Sequence, residues 1–227
     1  MPSARLLIAC APLLLLAAPS LAQDYVQSPR TYYLHPPSSY QQGCFGPCAC
    51  ILSSREPMLG SFTLDLITVG NATDFYALSD ILWHVPRLFG QPSSMFLSGS
   101  GTFAAGQVPF ADHQHMSLGL TLSPAPPPWT GPQQFDTTPD YAQRTVPPPV
   151  IDIEVANSTT GCPGIRLRIV ASWYRSDFNA DGAIAIPDIF DFLNAWFDGD
   201  LRTDSDNSGT LTTADIFDFL NGWFAGL

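Results

Sequence analysis

Lysine is absent from the 227-residue chain, and glutamate occurs only twice, at Glu56 and Glu154. All nine basic side chains are arginine, against twenty acids, for a net charge of −11. Nucleic acid and anionic lipid surfaces select clustered cations, so both are excluded as expected partners. The shortage of glutamate bears on catalysis. A common glycosidase places two carboxylates across a cleft, whereas Glu154 stands beside Asp152 in an alternating run that reads as a solvated sheet face. No Gly-x-Ser-x-Gly elbow or phosphate-binding loop occurs. No catalytic residue is assigned on these grounds. Beyond the N-terminal leader, no apolar run reaches the ~18 residues that a membrane span requires.

Residues 1–22 read as a secretory signal, with Arg5 as the positive end, a nearly continuous apolar stretch from Leu6 to Ala18, and Ser20-Leu21-Ala22 before Gln23. Leu7-Ile-Ala-Cys10 has the form of a lipoprotein box, but too little apolar chain precedes Cys10 for a normal signal core. The expected location is secreted or extracytoplasmic, with the cell surface as one destination. Four cysteines follow the leader: Cys44, Cys48, Cys50 and Cys162. In an exported chain an even number suggests disulfides. A Cys48–Cys50 bridge is disfavoured by geometry. The favoured arrangements link Cys162 to the cluster and close a small loop with the other two. A four-thiolate zinc site is the competing reading.

Residues 23–172 are expected to form a mainly β domain, a β-sandwich or open barrel. Apolar side chains alternate at Phe62, Leu64 and Leu66, at Ala77, Ser79, Ile81 and Trp83, at Met116 to Leu122, at Ile151 to Val155, and at Ile165 to Ile169. The proline-rich stretch 123–149 reads as a long loop inside this domain. His113 and His115 share a strand face that could hold a transition metal, although a plain surface pair is the commoner outcome. Trp83, Trp129, Trp173, Tyr32, Tyr33, Tyr40 and Tyr141 are candidates for a carbohydrate-stacking face, against the plainer reading that they pack. Asn71-Ala-Thr73 and Asn157-Ser-Thr159 are sequons, relevant only in a eukaryotic secretory route.

A short junction at 173–176 leads to residues 177–227, where one unit occurs twice at an offset of 27 residues. Ten aspartates and one arginine give this segment a net charge of −9. Each copy begins with a twelve-residue loop whose alternate positions are oxygen donors, the arrangement a hard, six-to-eight-coordinate calcium ion takes. The first offers Asp177, Asn179, Asp181, the Ala183 carbonyl and Asp188, with Gly182 at the turn. The second offers Asp204, Asp206, Ser208, the Thr210 carbonyl and Asp215, with Gly209 at the turn. Empty loops of this kind are expected to be loose, because their carboxylates repel one another. Each runs into Asp-Ile-Phe-Asp-Phe-Leu-Asn and an amphipathic helix carrying Ile189, Phe192, Leu193, Trp196 and Phe197, or Ile216, Phe219, Leu220, Trp223 and Phe224. A domain of about fifty residues is marginal by core area alone, so calcium is the expected staple.

The pair resembles a dockerin-type module, the duplicated loop–helix relative of the EF-hand. Asp188 and Asp215 close the loops in place of Glu, and the segment before Asp177 alternates like a strand, so no helix precedes it. The resemblance implies a small all-α C-terminal unit with two calcium sites and a short strand contact between Ile184 and Leu211. It also implies docking to a cohesin-like or cell-surface partner, often in polysaccharide catabolism. The expected function is a non-catalytic, secreted calcium-binding modular protein. The alternative is a polysaccharide-degrading enzyme or a carbohydrate-binding accessory protein with the same appendage. Ile186-Pro187 and Thr213-Ala214 depart from the Ser-Thr pair of the best-known partner code, and Ala185 at position nine departs from the usual polar residue.

Overall fold

In a computed structural model, the described residues form ten strands followed by two α-helices. The structure describes residues 29–45, 50–70, 73–86, 94–108, 111–126, 128–138, 150–157, 163–205, 208 and 210–226. The leader, Cys48, Cys162, Asn71, Tyr141, Asp206 and Gly209 lie outside them. The strands are β1 (Arg30–Leu34), β2 (Ser39–Gly43), β3 (Glu56–Pro57), β4 (Leu59–Thr68), β5 (Thr73–Val85), β6 (Met95–Val108), β7 (Ala111–Ser123), β8 (Gln133–Thr137), β9 (Ile151–Ala156) and β10 (Gly164–Ser172). Helices α1 (Ile186–Phe197) and α2 (Thr213–Ala225) follow. Among the described residues no helix is long and apolar enough to cross a membrane.

All ten strands belong to one antiparallel sheet, in the order β1-β4-β5-β6-β7-β8-β9-β10-β2-β3. Strand β1 also pairs with β10, so β1 and β4 to β10 close into a ring. The mainly β expectation therefore holds, in a single closed sheet rather than two facing ones. One edge of β10 serves two strands. Its residues 164–168 pair with β2, while Ala171 and Ser172 pair with Leu34 and Tyr33 of β1. Between the two ladders the Ser38 hydroxyl donates to Val170 O at 2.8 Å and accepts from Val170 N at 3.0 Å. A side chain thus satisfies a backbone unit that neither strand reaches.

The inward face is apolar: Phe62, Leu64, Met116, Leu118, Leu120, Phe135, Ile153, Ile165 and Leu167 are all buried. Strand β5 changes phase partway. Tyr76 and Leu78 point inward, a bulge intervenes, and Ile81, Trp83 and Val85 point inward after it. Asp80 carries the bulge with φ of 52°. The expected single-phase alternation from Ala77 to Trp83 is thus corrected in its first half, because an inserted residue inverts every side chain before it. The proline-rich stretch is corrected too: β8 lies within it, with Phe135 as its buried member.

Strand β9 overturns the solvated-face reading. Asp152 and Glu154 are 3% and 4% exposed. Arg168 grips Asp152 through two bonds of 3.2 and 3.0 Å, and Arg166 lies 3.2 Å from Glu154. Both faces of this strand are covered, and each buried charge has an arginine partner.

Candidate functional site

The two copies of the repeated unit pack against each other through equivalent residues. Phe192 of α1 and Phe219 of α2 occupy the same place in the repeat, and their rings stack at 4.0 Å with 9° between planes. Phe178, the second residue of the first loop, meets both rings edge-on at 5.4 and 6.2 Å. The three form a small core of their own, with Ile189, Leu193, Trp196, Ile216, Leu220 and Trp223 packed against it. The matching position in the second loop is Ser205, whose hydroxyl instead donates to Asp218 at 2.9 Å.

Two tryptophans tie the copies together. Trp223 Nε1 donates to the Ala185 carbonyl at 3.0 Å, and Trp196 Nε1 donates to the Thr212 carbonyl at 3.1 Å. Ala185 and Thr212 are both position nine of their loops and both precede their helices. Each helix therefore holds the exit of the other's loop. Ile184 and Leu211 are half-buried, but neither lies in a strand. The expected strand contact between the loops is replaced by this indole exchange.

Within the first loop, Asp177 Oδ1 accepts from Asp181 N at 3.0 Å and Oδ2 accepts from Gly182 N at 3.0 Å. Asn179 Oδ1 also accepts from Asp181 N at 3.0 Å, and Asp181 Oδ1 accepts from Ala183 N at 2.9 Å. Asp188 closes the loop, accepting from Asn179 N at 3.2 Å and Ala185 N at 2.8 Å. Gly182 turns the chain at φ of 90°, a conformation that favours glycine. The second loop repeats the pattern where it is described. Ser208 N donates to Asp204 Oδ1 at 2.9 Å, and Thr212 N donates to Asp215 at 2.7 Å. The Ser208 hydroxyl donates to Thr210 O at 3.0 Å.

Asp177, Asp188 and Asp215 are fully buried. Burial pushes the Asp177 carboxyl up to about 6, against the N–H bonds from Gly182 and Asp181, and the charges of Asp188 and Asp181 push it further up. Burial also raises Asp188, with Asp181 adding to it. Among the described residues, no three His, Cys, Asp or Glu side chains converge closely enough to hold a metal as they stand. The fit to calcium rests instead on chemistry. The donors are all oxygen, the loop N–H groups orient the carboxylates, and the crowded negative charge is what a bound cation relieves.

The remaining candidates separate cleanly. Cys44 and Cys50 are disulfide-bonded across a Cα separation of 5.4 Å, closing the small loop. The expected bridge from Cys162 falls outside the described residues. His113 and His115 are exposed on the outer face of β7. Four of the seven candidates for the aromatic face pack inside: Trp83, Tyr32 and Tyr40 are at most 2% exposed, and Trp129 is buried with them. Trp173 is half-buried against Tyr32, with the Arg30 guanidinium 4.2 Å above its ring. A different aromatic surface exists. His84 and Phe96 stack at 4.7 Å on the outside of β5 and β6, beside a cavity of about 630 Å³ that reaches Leu201 and Asp204. Sequence reasoning missed this pair because outward-facing residues on neighbouring strands carry no periodic signal.

No known protein family, curated protein or solved structure matched the chain.

Proposed function

We propose that the protein is a non-catalytic, extracytoplasmic calcium-binding modular protein, whose dockerin-like segment 177–227 fastens it to a partner. The observation that carries this reading is the paired geometry of the two loops. Equivalent carboxylates make equivalent bonds in both copies, and the copies are cross-tied at position nine. Calcium would be held by Asp177, Asn179, Asp181, the Ala183 carbonyl and Asp188, and by Asp204, Asp206, Ser208, the Thr210 carbonyl and Asp215. Its chemistry there is structural: it neutralises carboxylates whose repulsion otherwise opposes folding.

The docking half of the reading is supported by the outward surface of the helices. Phe190 and Phe217 are 61% and 65% exposed, and Phe197 and Phe224 are 76% and 77% exposed. These are two pairs at equivalent repeat positions, so both copies keep the same exposed phenylalanines. Apolar patches of this kind serve contact with a partner. Asp191 and Asp198 beside them favour a partner with a basic rim.

A calcium titration of the full chain by calorimetry, with thermal unfolding alongside, tests the reading. Heat from two sites is expected, with stabilisation of about 2.7 kcal/mol from each at a hundredfold excess over Kd. Absence of heat and of any thermal shift at millimolar calcium would sink it.

A carbohydrate-binding role for the barrel is the second reading, favoured by the His84–Phe96 surface and its cavity, which also carries the Ser94 and Ser98 side chains. Flat aromatic faces with nearby hydroxyls suit sugar rings. Glycan-array binding that disappears in Phe96→Ala supports it, and a blank array counts against it. The glycosidase alternative finds less support, because Glu154 is buried between Arg55 and Arg166.

A further inference from the structure

We propose that Ser172, a residue of the barrel, positions the first ligand of the first loop, so that this calcium site is completed from outside its own loop. The inference rests on the calcium reading above and deepens it.

Ser172 ends β10, is fully buried, and faces Tyr33 across the closure of the ring. Its hydroxyl lies 3.3 Å from Asp177 Oδ2 and 2.9 Å from His35 Nε2. It also accepts from Tyr174 N and approaches Tyr174 O, each at 3.2 Å. The other hydrogen bonds described for the Asp177 carboxylate come from within the loop. His35 is itself fixed, since it is buried and its backbone N–H donates to Val170 O at 2.8 Å.

The donor inventory sets the direction of this chain. The single serine proton has two acceptors in reach, Tyr174 O at 3.2 Å and Asp177 Oδ2 at 3.3 Å, and the ionised carboxylate, the stronger acceptor, takes it. The serine oxygen then accepts from His35 Nε2–H. A neutral imidazole protonated at Nε2 supplies that bond. The barrel thus aims the carboxylate at position one before any ion arrives. Groups that orient a metal ligand in this way are worth about 10–100-fold in affinity.

The second loop provides an internal contrast. Ser172 stands five residues before Asp177, and the residue five before Asp204 is Gly199, which has no side chain. The serine contact is therefore particular to the first loop, whereas Asp204 of the second shares a cavity lining with His84 of β5.

The experiment is a calorimetric calcium titration of the full chain and of Ser172→Ala. The wild type is expected to show two sites. In Ser172→Ala one site weakens by about tenfold while the other keeps its affinity. Ser172→Thr, which keeps a hydroxyl, restores most of the loss. His35→Phe, which removes the donor behind the serine, weakens the same site and serves if Ser172→Ala does not fold. Unchanged affinities in these variants, or equal weakening of both sites, overturn the proposal. A wild type that takes up no calcium overturns the calcium reading itself, a result distinct from either.

Discussion

Phe192 and Phe219 are one residue of the repeat met twice, and their rings lie face to face at 4.0 Å. The small helical core is built around that pair. Phe219→Ala removes a ring that touches both Phe192 and Phe178. A loss of about 3–5 kcal/mol is expected, enough to unfold so small a core. Far-UV circular dichroism should show the helical signal lost while the β signal persists. A helix content that survives the substitution would show that the stack is not what holds the module.

Ala180 occupies the fourth position of the first loop with φ of 57°, in the left-handed region. Alanine pays about 1–2 kcal/mol for that conformation, whereas asparagine tolerates it. The second copy has Asn207 at the matching place. Ala180→Asn is expected to stabilise the chain by about 1 kcal/mol, read as a raised denaturant midpoint. An unchanged or lowered midpoint contradicts the strain argument.

Burial pushes the His35 imidazole down to about 3, while a hydrogen bond to the Tyr174 carbonyl pulls the other way. The groups facing it are the Ser172 hydroxyl and, through it, Asp177. The unfolded chain takes up this proton at 6.5 and the folded chain only near 3. Stability from the neutral imidazole is complete above 6.5 and is lost as pH falls towards 3, by about 1.4 kcal/mol per pH unit. His35→Phe should flatten this part of the acid limb in urea midpoints taken across that window. Parallel curves for the two proteins would refute the assignment.

Arg168 is the partner of a buried aspartate, and removing it strands that charge. Arg168→Ala is expected to cost about 3–5 kcal/mol, and Asp152→Asn in the same chain should recover part of it. Urea denaturation of the single and double variants measures the difference. A single variant as stable as the wild type would mean that Asp152 is satisfied by other means.

The legible parts of the chain are those in which one strand or helix speaks for itself. Met116 to Leu122 and Ile165 to Ile169 alternate without interruption, and their buried faces follow. Strand β6 was not legible, because its centre is Gly99-Ser100-Gly101, where the apolar alternation lapses. A Cβ at Gly99 would meet Gly119 O at 2.0 Å, so close approach to β7 removes the apolar signal. The bulge at Asp80 inverted the phase of β5 in a way no period-two reading registers. Asp152 and Glu154 looked solvated because their arginine partners sit on other strands.

The duplication at 177–227 and most of each helical face follow from sequence alone, since each depends on residues a few places apart; Phe197 and Phe224, read onto those faces, are exposed instead. Tertiary structure decided the rest. The ring closes because β10 offers one edge to both β1 and β2. Trp196 and Trp223 reach across to the opposite loop, a contact that helical spacing does not encode. Ser172 meets His35, 137 residues away in the chain, and Asp177 only because the barrel seam ends where the first loop begins. Local chemistry wrote the two loops, and long-range packing brought Ser172 to the first of them.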